Sequence, residues 1–417
     1  MVHEKSMMTF CRQYIAIVLF SAPFSLLSAS VLQDAIDKAQ PGSRLELPAG
    51  VYRGNIMIDK PLIIDGKDQK AIIEGDGKGT VVTVTSSGVT LKNLTIRHSG
   101  EAHERVDAGV ALKKADQCRV EKCKIVDCLF GIDMSEVSRS EIIDNYIESK
   151  PFALGIRGDG IRLWYSNDNH LKGNHLYKSR DFVVWYSHGN LIEKNLGEYG
   201  RYSLHFMYTG KNYVKDNVYK HNSVGIFFMY SQDTVATGNL IQNSLGTTGL
   251  GIGLKDASNF TIKDNTIIYC ARGLFIDRSP YEPDTKNIIE GNRIIYNSEG
   301  IHFHSLSLHN VFRNNIFKGN IEHVINDSYN TKITENEFVG NYWDDYEGFD
   351  KNGDGIGDGP YNYYSYADKV WLLNPNIKFF YGSPVISILN FLAKLAPFSE
   401  PVLLLSDKAP KMYEGQV

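Results

Sequence analysis

Three side chains near the middle of the sequence carry the donor atoms of a soft-metal site. His205 and Met207 lie in the segment SLHFMY, and Met229 lies in the segment GIFFMY, 22 positions after Met207. Thioether sulfur and imidazole nitrogen suit Cu(I), whereas oxygen donors select other ions. If the two segments are adjacent strands, the two sulfur atoms stand about 5 Å apart. The spacing therefore predicts that His205, Met207 and Met229 bind Cu(I).

Other candidate metal ligands lie later in the chain, in segments of the same type. His302 and His304 alternate along GIHFHS, and Asp277 ends the segment GLFID. Imidazole and carboxylate groups both bind transition metals. We interpret Asp277, His302 and His304 as secondary copper ligands, better placed for a metal in transit or a partner than for catalysis.

An acidic loop near the C-terminus has the spacing of a calcium site. The run from Gly340 is GNYWDDYEGFDKNGDGIGDGPY, and Ile356 offers a backbone carbonyl at the seventh loop position. Side-chain oxygens stand at positions 1, 3, 5 and 9 of the loop: Asp350, Asn352, Asp354 and Asp358. Position 12 is Tyr361 instead of the usual bidentate Glu. We predict Ca²⁺ binding here, and a hydrogen-bonded Asx/Gly turn is the alternative.

The chain that must position these residues is a repeat. An aliphatic residue, one or two polar residues and an asparagine return roughly every 22 residues, which is typical of a solenoid. The markers are Asn93, Asn145, Asn174, Asn195, Asn217, Asn239, Asn265, Asn292, Asn315 and Asn336, with Cys123 in the same slot. We expect the marker asparagines to face inward at a turn and to bond along the stack.

A strand-like segment follows each marker by eight to ten residues. Its second and fourth residues are apolar, and no helical periodicity intervenes, so each repeat is a coil of short strands. Stacked coils form a parallel β-helix, an all-β fold in which each strand pairs with the coils above and below. The outward third-position column is Arg162, Val183, His205, Phe227, Gly253, Phe275 and His302, and the fifth-position column is Trp164, Trp185, Met207, Met229, Lys255, Asp277 and His304.

The middle of this outward face is unusually apolar. Trp164, Trp185 and Phe227 stand beside the two methionines in the outward columns. Because an exposed apolar patch on a solenoid usually marks a binding surface, we predict that these three residues dock a partner. The alternative is that the methionines and aromatic residues pack against the inserted loop at 150–158.

Both ends of the chain depart from the repeat. Residues 1–29 carry basic residues, an apolar run and then small residues, as in a secretory signal peptide. The run is too short for an uncleaved membrane anchor. We assign 30–42 to an amphipathic capping helix, 43–340 to the β-helix, and 341–368 to the calcium-binding loop and a cap.

The last segment, 369–417, is apolar and interrupted by prolines. A helix over about 384–395 would carry one apolar face, and Phe379, Phe380 and Phe391 are candidate docking residues. This segment either plugs the open end of the β-helix or docks onto a membrane partner.

Composition and charge exclude other classes of function. The 417 residues are 42% hydrophobic with a formal charge of −4, so the chain can bury a large core and offers no basic surface for nucleic acid. The aligned columns show no carboxylate cluster on adjacent coils, which argues against an enzyme that cleaves polysaccharides. We expect stacked free thiols, with a disulfide from Cys118 to Cys123 or Cys128 as the alternative.

The signal peptide, the asparagine ladder, the run NYWDDYEGFDKNGDGIGDGPY and the tail FFYGSPVISILNFLAKLAPFSEP together resemble the NosD family of nitrous-oxide reductase maturation factors. The resemblance covers nearly the whole chain after the signal, and the tail is its most specific part. No copper ligand is carried over from the family, so the three soft donors rest on the column pattern alone.

The resemblance implies a right-handed parallel β-helix in the periplasm, attached to the inner membrane through an ABC transporter. The implied transporter has a NosF-like ATPase and a NosY-like membrane subunit. Further implied partners are a NosL-like copper chaperone and nitrous-oxide reductase, whose copper centres the family helps to assemble. A carbohydrate-binding or polysaccharide-cleaving β-helix protein is the alternative function.

Overall fold

The computed structural model describes residues 26–327, 335–365, 374–380, 383–395 and 402–415. Across these residues the chain winds into a right-handed parallel β-helix of about 13 coils, which confirms the predicted fold class. A full coil supplies one short strand to each of three sheets. Strands from successive coils pair in parallel because successive repeats place equivalent apolar segments above one another.

The first sheet lies directly after the marker positions, the second directly before them, and the third contains the two outward columns. The first sheet has 14 described strands: Leu26–Ser28, Gly50–Arg53, Ala71–Glu74, Leu94–Arg97, Lys124–Cys128, Tyr146–Ser149, His175–Tyr177, Leu196–Glu198, Val218–Lys220, Leu240–Gln242, Thr266–Ile268, Arg293–Ile295, Ile316–Lys318 and Tyr342–Trp343. The second has 15: Arg44–Glu46, Ile63–Asp65, Thr90–Lys92, Arg119–Glu121, Glu141–Ile143, His170–Lys172, Leu191–Glu193, Tyr213–Lys215, Val235–Thr237, Thr261–Lys263, Asn287–Glu290, Asn310–Arg313, Glu337–Val339, Tyr361–Ser365 and Val402–Asp407. The third has 12: Ile56–Ile58, Val82–Val84, Ala108–Lys113, Phe130–Ser135, Ile161–Trp164, Asp181–Trp185, Tyr202–Met207, Val224–Met229, Leu250–Lys255, Arg272–Asp277, Glu299–His304 and Glu322–Asn326.

Inward side chains form one continuous apolar core along the solenoid. The predicted inward positions, such as Leu204 and Phe206, are fully buried. Beside the core runs the asparagine ladder, in which the side-chain amide of Asn195 donates to Oδ1 of Asn217 over 3.0 Å and Asn217 donates to Asn239 over 2.9 Å. The ladder satisfies polar groups that are cut off from water at each inward turn.

A residue in the left-handed conformation turns the chain just before the ladder position. Asp144 and Asp216 fill this place with φ of 53° and 54°, a conformation that Asp tolerates better than most residues. Two predicted markers are wrong. Asn93 is itself the turn residue, with φ of 54°. Asn336 belongs to a separate ladder, and the main ladder ends at Asn341.

The predicted capping helix is present at the N-terminal end and runs from Ala29 to Lys38. Leu32 and Ile36 on its inner face are buried against the first coils. The strand Leu26–Ser28 precedes the helix and pairs with Gly50–Arg53. The rest of the predicted signal peptide lies outside the described residues, and its cleavage stays a prediction.

Two strands from beyond the repeat close the C-terminal end of the β-helix. Val402–Asp407 runs antiparallel to Tyr361–Ser365 and pairs with Glu337–Val339. Leu405 is buried, and the fully buried carboxylate of Asp407 accepts hydrogen bonds from the last coil. Of the two roles predicted for the last segment, plugging the open end and docking onto a partner, its final part has the first, because it covers a sheet edge that would otherwise stay open.

The predicted apolar helix runs from Pro384 to Leu395, after a 3-10 turn at Pro375–Phe380. Ile386 is buried. The residues of the predicted apolar face are all exposed: Val385, Ile388, Leu389, Leu392 and Leu395. The helix therefore does not bury this face in the β-helix end. Within the described part of the chain, no helix is long and apolar enough to span a bilayer.

Candidate functional site

The third sheet places the predicted outward columns in register. Trp164 is the partner of Trp185, which pairs with Met207, which in turn pairs with Met229 on the next coil. Hydrogen bonding between parallel strands holds equivalent residues about 4.8 Å apart. The sheet therefore brings the two methionines side by side, as the 22-residue spacing predicts.

His205 and Met229 form the centre of the soft-donor cluster. Nε2 of His205 lies 3.4 Å from Sδ of Met229, which is close enough for both atoms to bind one ion. Burial lowers the pKa of His205 to about 4, so the imidazole is neutral near pH 7. Its Nδ1 is buried and has no hydrogen-bond partner. Met207, half-buried, is the register partner of Met229.

Aromatic rings enclose the imidazole of His205. Tyr202 stacks on it with ring centroids 4.6 Å apart, and Trp185 meets it edge-on at 5.7 Å. His205 is 6% exposed, whereas both methionines are half-buried. The donor set is thus held in an apolar wall with its sulfur side nearer to solvent, which fits a soft cation better than a hydrated hard one.

The structure corrects the prediction that Phe227 docks a partner, and it bears on the alternative that the loop at 150–158 covers the methionines. Phe227 is only 7% exposed because it packs laterally against Val224 and Leu250, so it is not available to a partner. Trp164 and Trp185 are half-buried. The inserted loop, with a 3-10 turn at residues 154–156, packs through its Phe152 against an apolar cluster several coils away from the methionines.

A column of stacked tyrosines flanks the methionine column, and the sequence pattern did not single it out. Tyr165, Tyr186, Tyr208 and Tyr230 stack face to face, with successive centroids 4.9, 5.1 and 5.0 Å apart. All but Tyr186 are exposed. The sequence does contain a pattern that would have revealed this column, because a Tyr directly follows each Trp or Met of the fifth-position column. This column supplies a flat aromatic surface next to the soft donors.

A second cluster lies four coils after His205 and includes Asp327, which the sequence pattern did not identify. His302 and His304 both contact the carboxylate of Asp327, at 3.0 and 2.8 Å. Asp277, predicted to join them, instead pairs with Lys255 on the coil before. Its carboxylate is satisfied there, so the prediction of Asp277 as a ligand is not supported. Extending the fifth-position column one coil beyond His304 would have found Asp327.

Carboxylates surround the buried imidazole of His302. Its Nδ1 lies 2.6 Å from Glu299 and its Nε2 faces Asp327. Burial alone would lower the pKa of His302, but the hydrogen bonds to Asp327 and Glu299 outweigh it and raise the pKa. His304 is exposed, so this cluster opens to solvent on one side.

A third cluster lies at the junction of the last coil and the C-terminal cap. Nε2 of buried His323 lies 3.0 Å from Asp344 and 3.3 Å from Asp345. Burial opposes the charged form, but the two carboxylates prevail and raise the pKa of His323 to about 9. Tyr361 donates to Asp345 over 2.7 Å. These contacts account for the cluster as a charged hydrogen-bond network that fastens the cap.

The predicted calcium loop is folded around its own hydrogen bonds. Asp350 accepts from the backbone NH groups of Gly353 and Gly355, at 2.7 and 2.8 Å, and Asp358 accepts from Lys351 at 2.8 Å. Within the described residues, the loop does not bring three carboxylate or imidazole ligands within reach of one ion. This geometry is that of the alternative Asx/Gly turn. Calcium binding stays a prediction for the full ligand set: Asp350, Asn352, Asp354, Ile356 and Asp358.

Carboxylates and arginines form a ladder on the N-terminal side of the soft-donor cluster. The pairs are Asp133 with Arg162 at 2.7 Å, Asp159 with Arg180 at 2.9 Å, and Asp181 with Arg201 at 3.0 Å. Burial raises the pKa of Asp159 to about 7. Asp159 and Asp181 stand on adjacent coils directly before the aligned columns, so the expectation, which was confined to those columns, did not cover this pair.

The predicted docking residues of the C-terminal segment are exposed. Phe379 is 87%, Phe380 54% and Phe391 60% exposed. The four cysteines beyond residue 100 are free and buried in the core, so the expectation of free thiols agrees with the structure. Burial raises the pKa of Cys123 to about 12, which keeps that thiol protonated.

The fold defines the chain as a right-handed parallel β-helix protein, and residues 79–195 match the family model described as the right handed beta helix region. Residues 147–348 match the model described as periplasmic copper-binding protein (NosD). A probable ABC transporter binding protein NosD from Pseudomonas aeruginosa is 30% identical over 394 residues, which cover 86% of each chain. One from Stutzerimonas stutzeri is 28% identical over 376 residues, covering 85% of this chain and 84% of the relative.

The chain belongs to the NosD family. By the description of its model, this is a family of periplasmic copper-binding proteins, and both curated relatives are named as binding proteins of an ABC transporter. Neither relative is named as an enzyme.

Solved structures share the β-helix with this chain. The A-module of the Azotobacter vinelandii mannuronan C-5 epimerase AlgE6 aligns with a TM-score of 0.58 and 13% identity, over 74% of this chain and 94% of the module. The catalytic domain of a GH87 alpha-1,3-glucanase aligns with a TM-score of 0.60 and 17% identity, over 78% and 68%. At these identities the likeness shows the fold alone.

Proposed function

We propose that this chain is the periplasmic accessory protein of an ABC transporter complex and assists assembly of the copper centres of nitrous-oxide reductase. In this proposal it receives or hands on Cu(I), its cargo, on the outer face of the third sheet. The observation that carries the proposal is the 3.4 Å pairing of His205 Nε2 with Met229 Sδ, beside Met207 on the adjacent strand. Membership of the NosD family supports the periplasmic copper setting.

The arrangement suits capture and release of Cu(I). A neutral His205 offers its Nε2 lone pair without first losing a proton. The three proposed donors are one imidazole nitrogen and two uncharged thioether sulfurs. Because none of them is an oxygen, the site disfavours hard cations. Because the methionines are half-buried, a partner can approach their sulfur atoms while the ring of His205 stays shielded.

Delivery and removal of the ion require partners at this face. Trp164, Trp185 and the stacked tyrosines supply a surface on which a NosL-like chaperone and the reductase would dock in turn. Their aromatic rings give large contact areas at low entropic cost. The exposed helix at 384–395 would rest on the NosY-like membrane subunit, and ATP hydrolysis by the NosF-like subunit would move it.

Replacing both thioethers tests the copper proposal. M207L/M229L preserves the size of the side chains and removes both sulfur atoms. We expect it to fold as the wild type and to lose Cu(I) binding by at least tenfold in an anaerobic competition titration with a Cu(I) chelator. M57L, which removes an exposed methionine near the N-terminal end, is the matched control and should bind as the wild type. Unchanged binding by M207L/M229L would remove the basis of the proposal.

The Asp/Arg ladder favours one other candidate, a carbohydrate-binding or polysaccharide-cleaving protein. A carboxyl group such as Asp159, with its pKa near neutrality, is a common feature of catalytic sites. Each carboxylate of this ladder is nevertheless engaged by an arginine. Stable binding to a uronate polymer, without any contact with the transporter, would favour this candidate over copper delivery.

A further inference from the structure

The cluster of His302, His304 and Asp327 has a different chemistry from the methionine site. Each of the three residues offers one donor atom, and these atoms lie within 4.8 Å of one another. They come from adjacent strands of the third sheet and its continuation, as His302 pairs with Ile325 in register. Two imidazoles and one carboxylate, without sulfur, suit divalent transition metals rather than Cu(I).

The buried imidazole is oriented in the way that metal-binding histidines require. Glu299 holds Nδ1 of His302 at 2.6 Å and leaves Nε2 facing Asp327. A carboxylate on the far nitrogen of a histidine fixes its ring and raises its basicity toward a metal. Glu299 in turn pairs with Arg272 at 3.2 Å, so the orienting carboxylate is itself held in place.

The surroundings leave one side of the cluster dry and the other open. The ring of Phe275 lies against both imidazoles, with centroids 5.4 Å from His302 and 5.9 Å from His304. The side chain of His304 is 48% exposed, against 3% for His302. A metal held by three protein ligands at such an edge keeps open positions for water or for a ligand from another molecule.

We propose that His302, His304 and Asp327 form a binding site for a divalent transition-metal ion, Zn²⁺ or Cu²⁺, separate from the methionine site. Nε2 of His302, Nδ1 of His304 and the carboxylate of Asp327 are the ligands, and Glu299 is a positioning residue. Binding displaces the protons that hydrogen-bond the imidazoles to Asp327. At the strand spacing the site lies four coils, or about 19 Å, from His205. The inference is independent of the Cu(I) proposal.

Metal titrations of the metal-stripped full chain test this site, with Zn²⁺ and Cu²⁺ in separate arms. The wild type should bind one equivalent that H304A and D327N each bind at least tenfold more weakly. E299Q should weaken binding about ten- to hundredfold, as outer-shell substitutions do. The matched control is H98A, which removes an exposed histidine paired with a single carboxylate, Asp127, and should bind as the wild type.

Spectroscopy and the methionine variant separate this proposal from the Cu(I) proposal. The electron paramagnetic resonance spectrum of the Cu²⁺ complex should show coupling to imidazole nitrogen that weakens in H304A. Because His304 is exposed, we expect this variant to fold as the wild type. M207L/M229L should keep full divalent binding, whatever it does to Cu(I). Wild-type affinity for both divalent ions in H304A and D327N would overturn the proposal, as would tighter binding of Cu(I) than of either ion at this cluster.

Discussion

A histidine on this β-helix acquires its chemistry from the groups that face it. His205 is buried among aromatic rings with a thioether on Nε2, and burial lowers its pKa to about 4. His302 and His323 are equally buried, but each faces carboxylates that raise its pKa. The imidazole of His205 is therefore neutral near pH 7, which suits its proposed role toward Cu(I), whereas the carboxylates favour the charged forms of His302 and His323.

His323 gives the cap a predictable dependence on pH. Its pKa in the folded state, about 9, exceeds the ordinary value of 6.5, so its stabilising effect is complete below about pH 6.5 and is lost as the pH rises through 9. This rise in the pKa corresponds to a contribution on the order of 3 kcal/mol to the free energy of unfolding. We expect the free energy of unfolding of the wild type to fall between pH 6.5 and 9 more steeply than that of H323Q, measured by denaturant titration.

H188Q is the control for this comparison, because it removes an exposed imidazole from the same solenoid. It should follow the wild type across the whole range. Parallel pH curves for the wild type and H323Q would show that the network of His323 with Asp344 and Asp345 does not stabilise the folded chain.

At the scale of the strand, local alternation predicts the face on which each side chain lies. The inward residues of the third sheet and both outward columns follow from the period of two within each segment. Burial on the outward side does not follow from it. Phe227 is outward yet buried, because Val224 and Leu250 cover it from the side. Asp327 was missed because the column was followed only as far as His304.

Of the two C-terminal elements, the helix could be predicted from the sequence and the closing strand could not. The helix at 384–395 was predicted from its apolar periodicity, which is a local property. The closure by Val402–Asp407 depends on pairing with strands about 40 and 70 residues earlier in the chain, and no local pattern encodes such a partner. Both elements are rich in apolar residues, yet the helix exposes its apolar face and the strand buries Leu404 and Leu405.

The exposed helix allows a test of attachment to the transporter. I388E/L392E places two charges on its apolar face and should reduce co-purification of the membrane subunit at least tenfold, since burying an unpaired charge in an interface is costly. The variant should keep the wild-type thermal midpoint and Cu(I) affinity.

L245E/L306E provides a matched control, with two exposed leucines on loops replaced in the same way. It should recover the membrane subunit as the wild type does. Wild-type recovery by I388E/L392E would mean that this helix is not the docking element.

At the scale of the whole molecule, the solenoid sets the spacing between the two proposed metal sites. The asparagine ladder and the continuous core fix the coils at the strand spacing, so chemistry on one coil is held at a set distance from chemistry on another. The outer face of the third sheet carries the soft donors near its middle and the two-histidine cluster toward the C-terminal cap.

The most direct test of the central claim is X-ray absorption at the copper edge, on the full chain loaded with one equivalent of Cu(I). A site built by His205, Met207 and Met229 predicts a first shell of sulfur and nitrogen in the wild type and loss of the sulfur scattering in M207L/M229L. The free cysteines are buried, with the thiol of Cys123 held protonated, so they should not replace it. A wild-type shell of nitrogen and oxygen alone, or sulfur scattering that survives in M207L/M229L, would contradict the account.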